Sequence, residues 1–211
     1  VNVNSTNTVI LDGSAWDGTN TLNVTKATSA DLTAAATTDV NVSGVTGAVA
    51  VDGGENVNVT VAATGTSTTI GATTGAAGTV TVTDAALGAA EIKVDGGTDV
   101  TITATGSTKT GVDTTGNISV GQTLANDLPT GAVTVSSTGV YADANVTMGA
   151  IKIDGGSTVT VTQSAGITAA QTTAALTDTT NSKVIQGAIS VDAGAATTTV
   201  NVKQDATVAA G

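Results

Sequence analysis

One unit recurs four times along this chain, and that repetition constrains the fold more than any other feature. The copies are residues 47–61 (GAVAVDGGENVNVTV), 90–104 (AEIKVDGGTDVTITA), 149–163 (GAIKIDGGSTVTVTQ) and 187–202 (GAISVDAGAATTTVNV). Each reads as a small residue, an alternating apolar strand, an Asp, two small residues and a second alternating strand. The turn acids are Asp52, Asp95, Asp154 and Asp192. Residues 9–13 (VILDG), with a return strand at Leu22–Val24, read as a weaker fifth copy. Multiplication of one short supersecondary unit points to an array in which neighbouring copies bury each other's apolar faces.

The strands inside each unit have period two. Val49, Val51, Val57, Val59, Ile92, Val94, Val100, Ile102, Ile151, Ile153, Val159 and Val161 fall on one face, with Thr, Asn, Ser or Lys mostly on the other. These twelve are the predicted core. β-Branched residues favour the pleated backbone. More than one residue in five is Thr. The chain has no Phe, one Trp and one Tyr, so its interior is filled by Val, Ile, Leu, Ala and Thr. Small aliphatic side chains suit a thin interior where like residues stack from rung to rung. The expected fold is all-β, a repetitive β-solenoid or β-helix-like stack. β-Sandwich modules with Greek-key or meander strands stay open as the alternative.

The turn Asp residues are spaced by 43, 59 and 38 residues. Unequal intervals argue against a strict solenoid unless insertions sit at a fixed corner, and residues 106–116 and the loop around Pro129 are candidates. A duplicated module reaching from Asp52 to Asp154 is a second explanation. Helical signals are confined to residues 29–36 (SADLTAAA), with Ser29 or Asp31 as N-cap, and to residues 166–179. No compositional break marks a linker. Residues 1–46 form a weaker N-terminal β repeat and residues 47–211 carry the β-strand repeats with Asp-Gly-Gly turns. The start at Val1, without Met, basic stretch or apolar stretch, reads as a processed product or a segment of something longer.

At each Asp-Gly-Gly turn the Asp side chain caps the turn. Gly53, Gly96 and Gly155 are expected at positive φ, and Ala193 makes the fourth turn different. The other reading is metal binding. Asp52, Asp95, Asp154 and Asp192 would line one edge, with Glu55 and Asp99 as nearby second acids, and would hold Ca²⁺. Calcium needs six to eight oxygens, and each copy supplies one Asp. The Gly-Gly-x-Gly-x-Asp nonapeptide of calcium-loaded solenoids is absent. The rows Thr79-Thr81-Thr83, Thr101-Thr103-Thr105 and Thr158-Thr160-Thr162 could form a flat hydroxyl–methyl array of the kind ice-binding solenoids use, interrupted by Asn58 and Asn201. Six Asn-x-Ser/Thr matches, at Asn4, Asn23, Asn41, Asn58, Asn117 and Asn145, are what chance yields in so Thr-rich a chain.

Six Lys+Arg stand against 17 Asp+Glu, a net charge of -11. That surface repels nucleic acid and anionic lipid heads. No uninterrupted apolar stretch is long enough for a membrane-spanning helix. With no His and no Cys, imidazole and thiolate chemistry are gone. Trp16 between Asp12 and Asp17 is the one aromatic–carboxylate cluster, and packing over a turn is its expected role. The reading is not an enzyme.

The string of Gly-Ala-Ile/Val-x-Val-Asp-Gly-Gly units, above all residues 94–106 (VDGGTDVTITATG) and 197–208 (TTTVNVKQDATV), resembles the β-strand-repeat secreted surface proteins of Gram-negative bacteria, of the surface-layer and giant-adhesin type. The resemblance covers the chain from about Gly47 onward. It implies an extracellular structural role, often lattice-forming and often calcium-dependent. The expectation is therefore a cell-surface protein that assembles with copies of itself into a surface layer or sheath, with a cell-surface glycan as its anchor. The alternatives are the stalk of an adhesin and, third, an ice-binding solenoid.

Overall fold

The computed structural model describes residues 1–63, 65–106, 113–124, 127–141, 145–167 and 183–208. These residues form twenty strands and no helix. Two long parallel sheets face each other. Sheet A has nine strands: β1 (Asn2–Asn4), β3 (Asn20–Thr25), β5 (Thr38–Val45), β7 (Val57–Val61), β9 (Val80–Leu87), β11 (Val100–Gly106), β14 (Ala132–Tyr141), β17 (Thr158–Ile167) and β20 (Thr199–Val208), in that spatial order. Sheet B has eight: β2 (Val9–Gly13), β4 (Ala30–Ala34), β6 (Val49–Gly53), β8 (Thr68–Ile70), β10 (Ile92–Val94), β13 (Ile118–Val120), β16 (Ile151–Asp154) and β19 (Ile189–Asp192). The chain alternates between the sheets, so each B strand and the A strand after it make one rung. Eight such rungs stack as a β-solenoid, each about 4.8 Å above the last.

Stacking aligns like residues in columns. On sheet B, Val9, Ala30, Val49, Thr68, Ile92, Ile118, Ile151 and Ile189 lie in register. On sheet A, Val24, Val42, Val59, Val82, Ile102, Val135, Val161 and Val202 do the same. The side chains of both sets point between the sheets. All twelve predicted core residues are buried, none more than 1% exposed.

The uneven Asp spacing has a simple origin. The sheet B column steps by 19 residues from Val49 to Thr68, by 24 to Ile92, by 26 to Ile118, by 33 to Ile151 and by 38 to Ile189. Asp52 and Asp95 are therefore two rungs apart, as are Asp95 and Asp154, while Asp154 and Asp192 are adjacent. The intervening rungs, β8 with β9 and β13 with β14, lack the Asp and escape the repeat pattern.

Rungs also grow toward the C-terminal end. Three two-residue strands, β12 (Asp113–Thr114), β15 (Val146–Thr147) and β18 (Val184–Ile185), form a third parallel sheet beside the last rungs. Sheet A strands lengthen to ten residues at β14, β17 and β20. Val146, Met148, Ala165 and Ile167 make a second small core beside the main one.

The helix expected over residues 29–36 is corrected. Residues 30–34 are β4, with Ala30, Leu32 and Ala34 buried and Asp31 and Thr33 exposed. Ladders to β2 on one side and β6 on the other outweigh the helical preference of a short Ala run. Of the second candidate helix, Gly166 and Ile167 belong to β17 and residues 168–179 lie outside the described residues. At the opposite end Trp16 does pack over a turn. A Cβ on Gly13 would lie 2.9 to 3.0 Å from the Trp16 ring, so only Gly lets the indole sit flat there.

Candidate functional site

The Asp-Gly-Gly segments are corners between sheets. Gly53, Gly96 and Gly155 have φ of 75°, 82° and 86°, and the following Gly54, Gly97 and Gly156 are also positive at 93°, 90° and 82°. Both glycines of the pair are thus in a conformation that L side chains resist. Ala193 and Gly194 are not in that region, so the fourth corner turns differently.

Two of the four corner acids, Asp52 and Asp95, bond backbone amides of the next rung, as does Asp99. Asp52 Oδ1 accepts from Thr73 N at 2.8 Å. Asp95, only 2% exposed, accepts from Thr123 N at 2.9 Å and Leu124 N at 3.2 Å through one oxygen. Asp99 Oδ1 accepts from Ala132 N at 2.6 Å. Each carboxylate thus holds a loop of the rung stacked upon it. Asp127 Oδ2 instead reaches two rungs back and accepts from Gly75 N at 3.1 Å, a role not signalled by the repeat. Asp12 binds Ser14 within its own turn at 2.9 Å. The hydroxyl and amide of Ser14 hold this carboxyl below its ordinary pKa. On sheet B, Lys93 and then Asn117 lower Glu91 in the same way.

The positions following the aligned B strands read Asp12, Thr33, Asp52, Gly71, Asp95, Gly121, Asp154 and Asp192 up the stack. Acid alternates with a neutral residue until the last pair. Two rungs put about 9.6 Å between like charges, whereas adjacent rungs put about 4.8 Å. Gly71 and Gly121 have φ of 77° and 68°, and a Cβ on either would strike the carbonyl oxygen of Asp95 or Asp154. Sterics and charge agree on the alternation.

Asp154 and Asp192 are in direct register at the C-terminal end. Glu55 lies one position before Asn56, whose stacking partners are Thr79 and then Asp99, so Glu55 and Asp99 do not share a row. Among the described residues no three acids converge as a metal-binding group. Of the six named carboxylates, Asp154 and Asp192 stand in register on adjacent rungs, and a calcium ion would draw on further oxygens to reach the six to eight it takes.

Sheet A presents a different surface outward. Its two central ranks read Asn2, Asn23, Asn41, Asn58, Thr81, Thr101, Thr134, Thr160, Asn201 and Asn4, Thr25, Ser43, Thr60, Thr83, Thr103, Ser136, Thr162, Lys203. Asn side chains bond up the stack, Asn23 to Asn2 at 2.7 Å and Asn41 to Asn23 at 3.0 Å. These ranks carry no charge on eight successive strands, in a chain of net charge -11.

One inward column is polar. Val61, Asp84, Ala104, Ser137, Gln163 and Gln204 stack in register. Gln163 is fully buried, donating to the Gly149 carbonyl at 2.9 Å and accepting from Gln204 at 3.0 Å. Asp84 is fully buried too. Its Oδ1 accepts from Ala86 N at 2.9 Å, while its Oδ2 has no partner among the described residues. Burial pushes the Asp84 carboxyl up to about 6, against the lowering pull of the Ala86 amide.

Neither the corners nor the polar inward column assembles a nucleophile, a base and an oxyanion donor among the described residues. The chain matches no model of a known protein family, no curated protein and no solved structure.

Proposed function

We propose that this chain is a structural segment of an extracellular cell-surface protein, assembling with copies of itself into a surface layer or sheath. The observation that carries the reading is the outer face of sheet A, whose central ranks are uncharged over eight strands. Another copy can approach there without meeting the like charge that dominates the rest of the surface. Thr and Asn side chains supply hydrogen bonds, and the ladders beneath hold them at fixed spacing. Calcium, where it takes part, bridges acids such as Asp154 and Asp192, in register on adjacent rungs, to those of a neighbouring chain.

The test is electron microscopy of the purified chain at fixed ionic strength, with calcium and with a chelator. Two-dimensional sheets or tubes support the surface-layer reading. Isolated rods at every condition favour the adhesin stalk. Sheets indifferent to chelation remove calcium and leave the lattice.

A second reading rests on one observation. Thr81, Thr101, Thr134 and Thr160 align on four successive strands, beside Thr83, Thr103, Ser136 and Thr162. That array has the regularity required to order water as an ice face does. Thermal hysteresis in the purified chain, lost on Thr101→Lys, would favour it over the lattice.

A further inference from the structure

One rung in the middle of the stack holds two buried oxygens that nothing around them satisfies. Among the described residues, Asp84 Oδ2 and Thr68 Oγ1 have no hydrogen-bond partner, and both residues are 0% exposed. A third such atom, Thr38 Oγ1, lies two rungs away. Thr68 opens β8 in sheet B and Asp84 lies in β9 of sheet A, so the two belong to one rung. Both occupy inward columns, Thr68 between Val49 and Ile92 and Asp84 between Val61 and Ala104.

Two later rungs show what the Asp84 column meets across the interior. Gln163 donates to the Gly149 carbonyl at 2.9 Å, and Gln204 to the Gly187 carbonyl at 2.8 Å. Gly149 and Gly187 each stand two residues ahead of the first inward place of sheet B, held by Ile151 and Ile189. The same offset in the rung of Asp84 leads to Thr66. Thr66 is 2% exposed and donates its hydroxyl to the Ala63 carbonyl at 3.0 Å, which leaves its oxygen lone pairs available. The rungs on either side fill these three places with Gly47, Val49 and Val61 and with Ala90, Ile92 and Ala104. One rung thus gathers a carboxylate and two hydroxyls where its neighbours are apolar.

A buried carboxylate is too costly to stand alone, so such groups pair with a cation or take up a proton. The four residues around this one, Val61, Ala104, Thr66 and Thr68, carry no charge. The ion pairs among the described residues lie elsewhere, at Lys93 with Glu91 and at Lys203 with Asp205. Carboxylate, hydroxyl and carbonyl oxygens are the ligands that hard cations take. One carboxylate balances one positive charge. A divalent ion would leave uncompensated charge in the interior, at a large desolvation cost.

We propose that this rung binds a monovalent cation of sodium's size through Asp84 Oδ2 and the hydroxyl oxygens of Thr66 and Thr68. The site is internal to one chain and does not depend on self-association.

The experiment is urea unfolding of the full 211-residue chain at about pH 8, followed by circular dichroism, with sodium chloride exchanged for choline chloride at constant ionic strength. Choline is too large to enter the stack. Sodium bound only by the folded chain should raise the folding equilibrium constant about tenfold for each tenfold rise in its concentration above half-saturation. Asp84→Asn and Thr68→Val keep the size of each side chain and should flatten that response. In choline the burial penalty on Asp84 stands in full, so Asp84→Val gains most there. Burial pushes the Asp84 carboxyl up to about 6, so the sodium response should be present at about pH 8 and fade as pH falls through that value, where a proton replaces the ion. Broadening of the sodium NMR line by the wild type, and not by Asp84→Asn, would show binding directly. Equal midpoints in sodium and choline for the wild type overturn the site. A sodium response that survives in Asp84→Asn does so too, because the ion would then sit elsewhere. Calcium stabilising through Asp84 where sodium does not would defeat the charge argument. Each of these outcomes leaves the surface-layer reading to its own test in the microscope.

Discussion

Replacing Asp84 with Val should stabilise the protein, by an amount that depends on pH. The carboxyl sits in an inward column between Val61 and Ala104, fully buried, with Oδ2 unpartnered among the described residues. Its pKa is about 6 in the folded chain, against 3.8 ordinarily. That gap corresponds to about 3 kcal/mol. Below pH 3.8 the group is neutral in both states and contributes no pH-dependent cost. As pH rises, the unfolded chain ionises first and gains stability. The folded chain follows near pH 6, after which the penalty is constant. Wild-type stability should therefore fall by about 3 kcal/mol between roughly pH 3.5 and pH 7 from this group alone. Asp84→Val has no such term, and Val matches the residue below it in the column. The difference between variant and wild type, read from urea midpoints by far-ultraviolet circular dichroism, should grow through this window and level off above pH 7. Asp84→Asn should abolish the pH dependence yet gain less, because its amide N–H₂ inherits the unpartnered position. A variant-minus-wild-type difference that stays flat from pH 4 to pH 7 would refute the reasoning.

Three further substitutions test the stack itself. Ile102→Ala empties a fully buried position between Val82 and Val135 and should cost about 2–5 kcal/mol in a chemical denaturation series. Gly121→Ala forces a Cβ against the Asp154 carbonyl at φ 68° and should cost more than the roughly 1 kcal/mol of an ordinary conformational penalty, shown by a lowered melting temperature. Asp95→Ala removes the acceptor for Thr123 and Leu124 and should cost about 1–3 kcal/mol, while Asp95→Asn keeps an acceptor and should cost much less. Equal losses in those two variants would mean that the charge of Asp95 matters more than its capping.

The columns were legible because side-chain direction in a strand alternates strictly, and Val or Ile marks the inward parity wherever it recurs. Missing rungs trace to particular substitutions. In β8 the inward first position is Thr68, and the corner position is Gly71 where Asp would flag a copy. In the rung of β13 and β14 it is Gly121. The pattern thus displayed every second rung from Asp52 to Asp154 and then the adjacent rung of Asp192, and the intervals between its Asp residues looked irregular. Residues 30–34 alternate as faithfully as the others, but Ala at two of three inward positions hides the contrast that periodicity depends on. The third sheet carries no signal at all, because two residues cannot show a period.

For the candidate site, residue type was visible and partnership was not. Asp52, Asp95 and Asp99 stood out as acids near turns, yet their amide partners Thr73, Thr123 and Ala132 come from the following rung, 21 to 33 residues away. Only the stack supplies that distance. Asp84 had a signal that could have been used: it continues the inward parity of Val80 and Val82, where an acid has no ordinary place. Stacking also explains why charge is distributed as it is. A parallel solenoid copies each residue's neighbours into one row, so an acid repeated on every rung would face like charge about 4.8 Å above and below. Gly at alternate corners relieves that repulsion along sheet B, and Thr and Asn remove it from the face of sheet A.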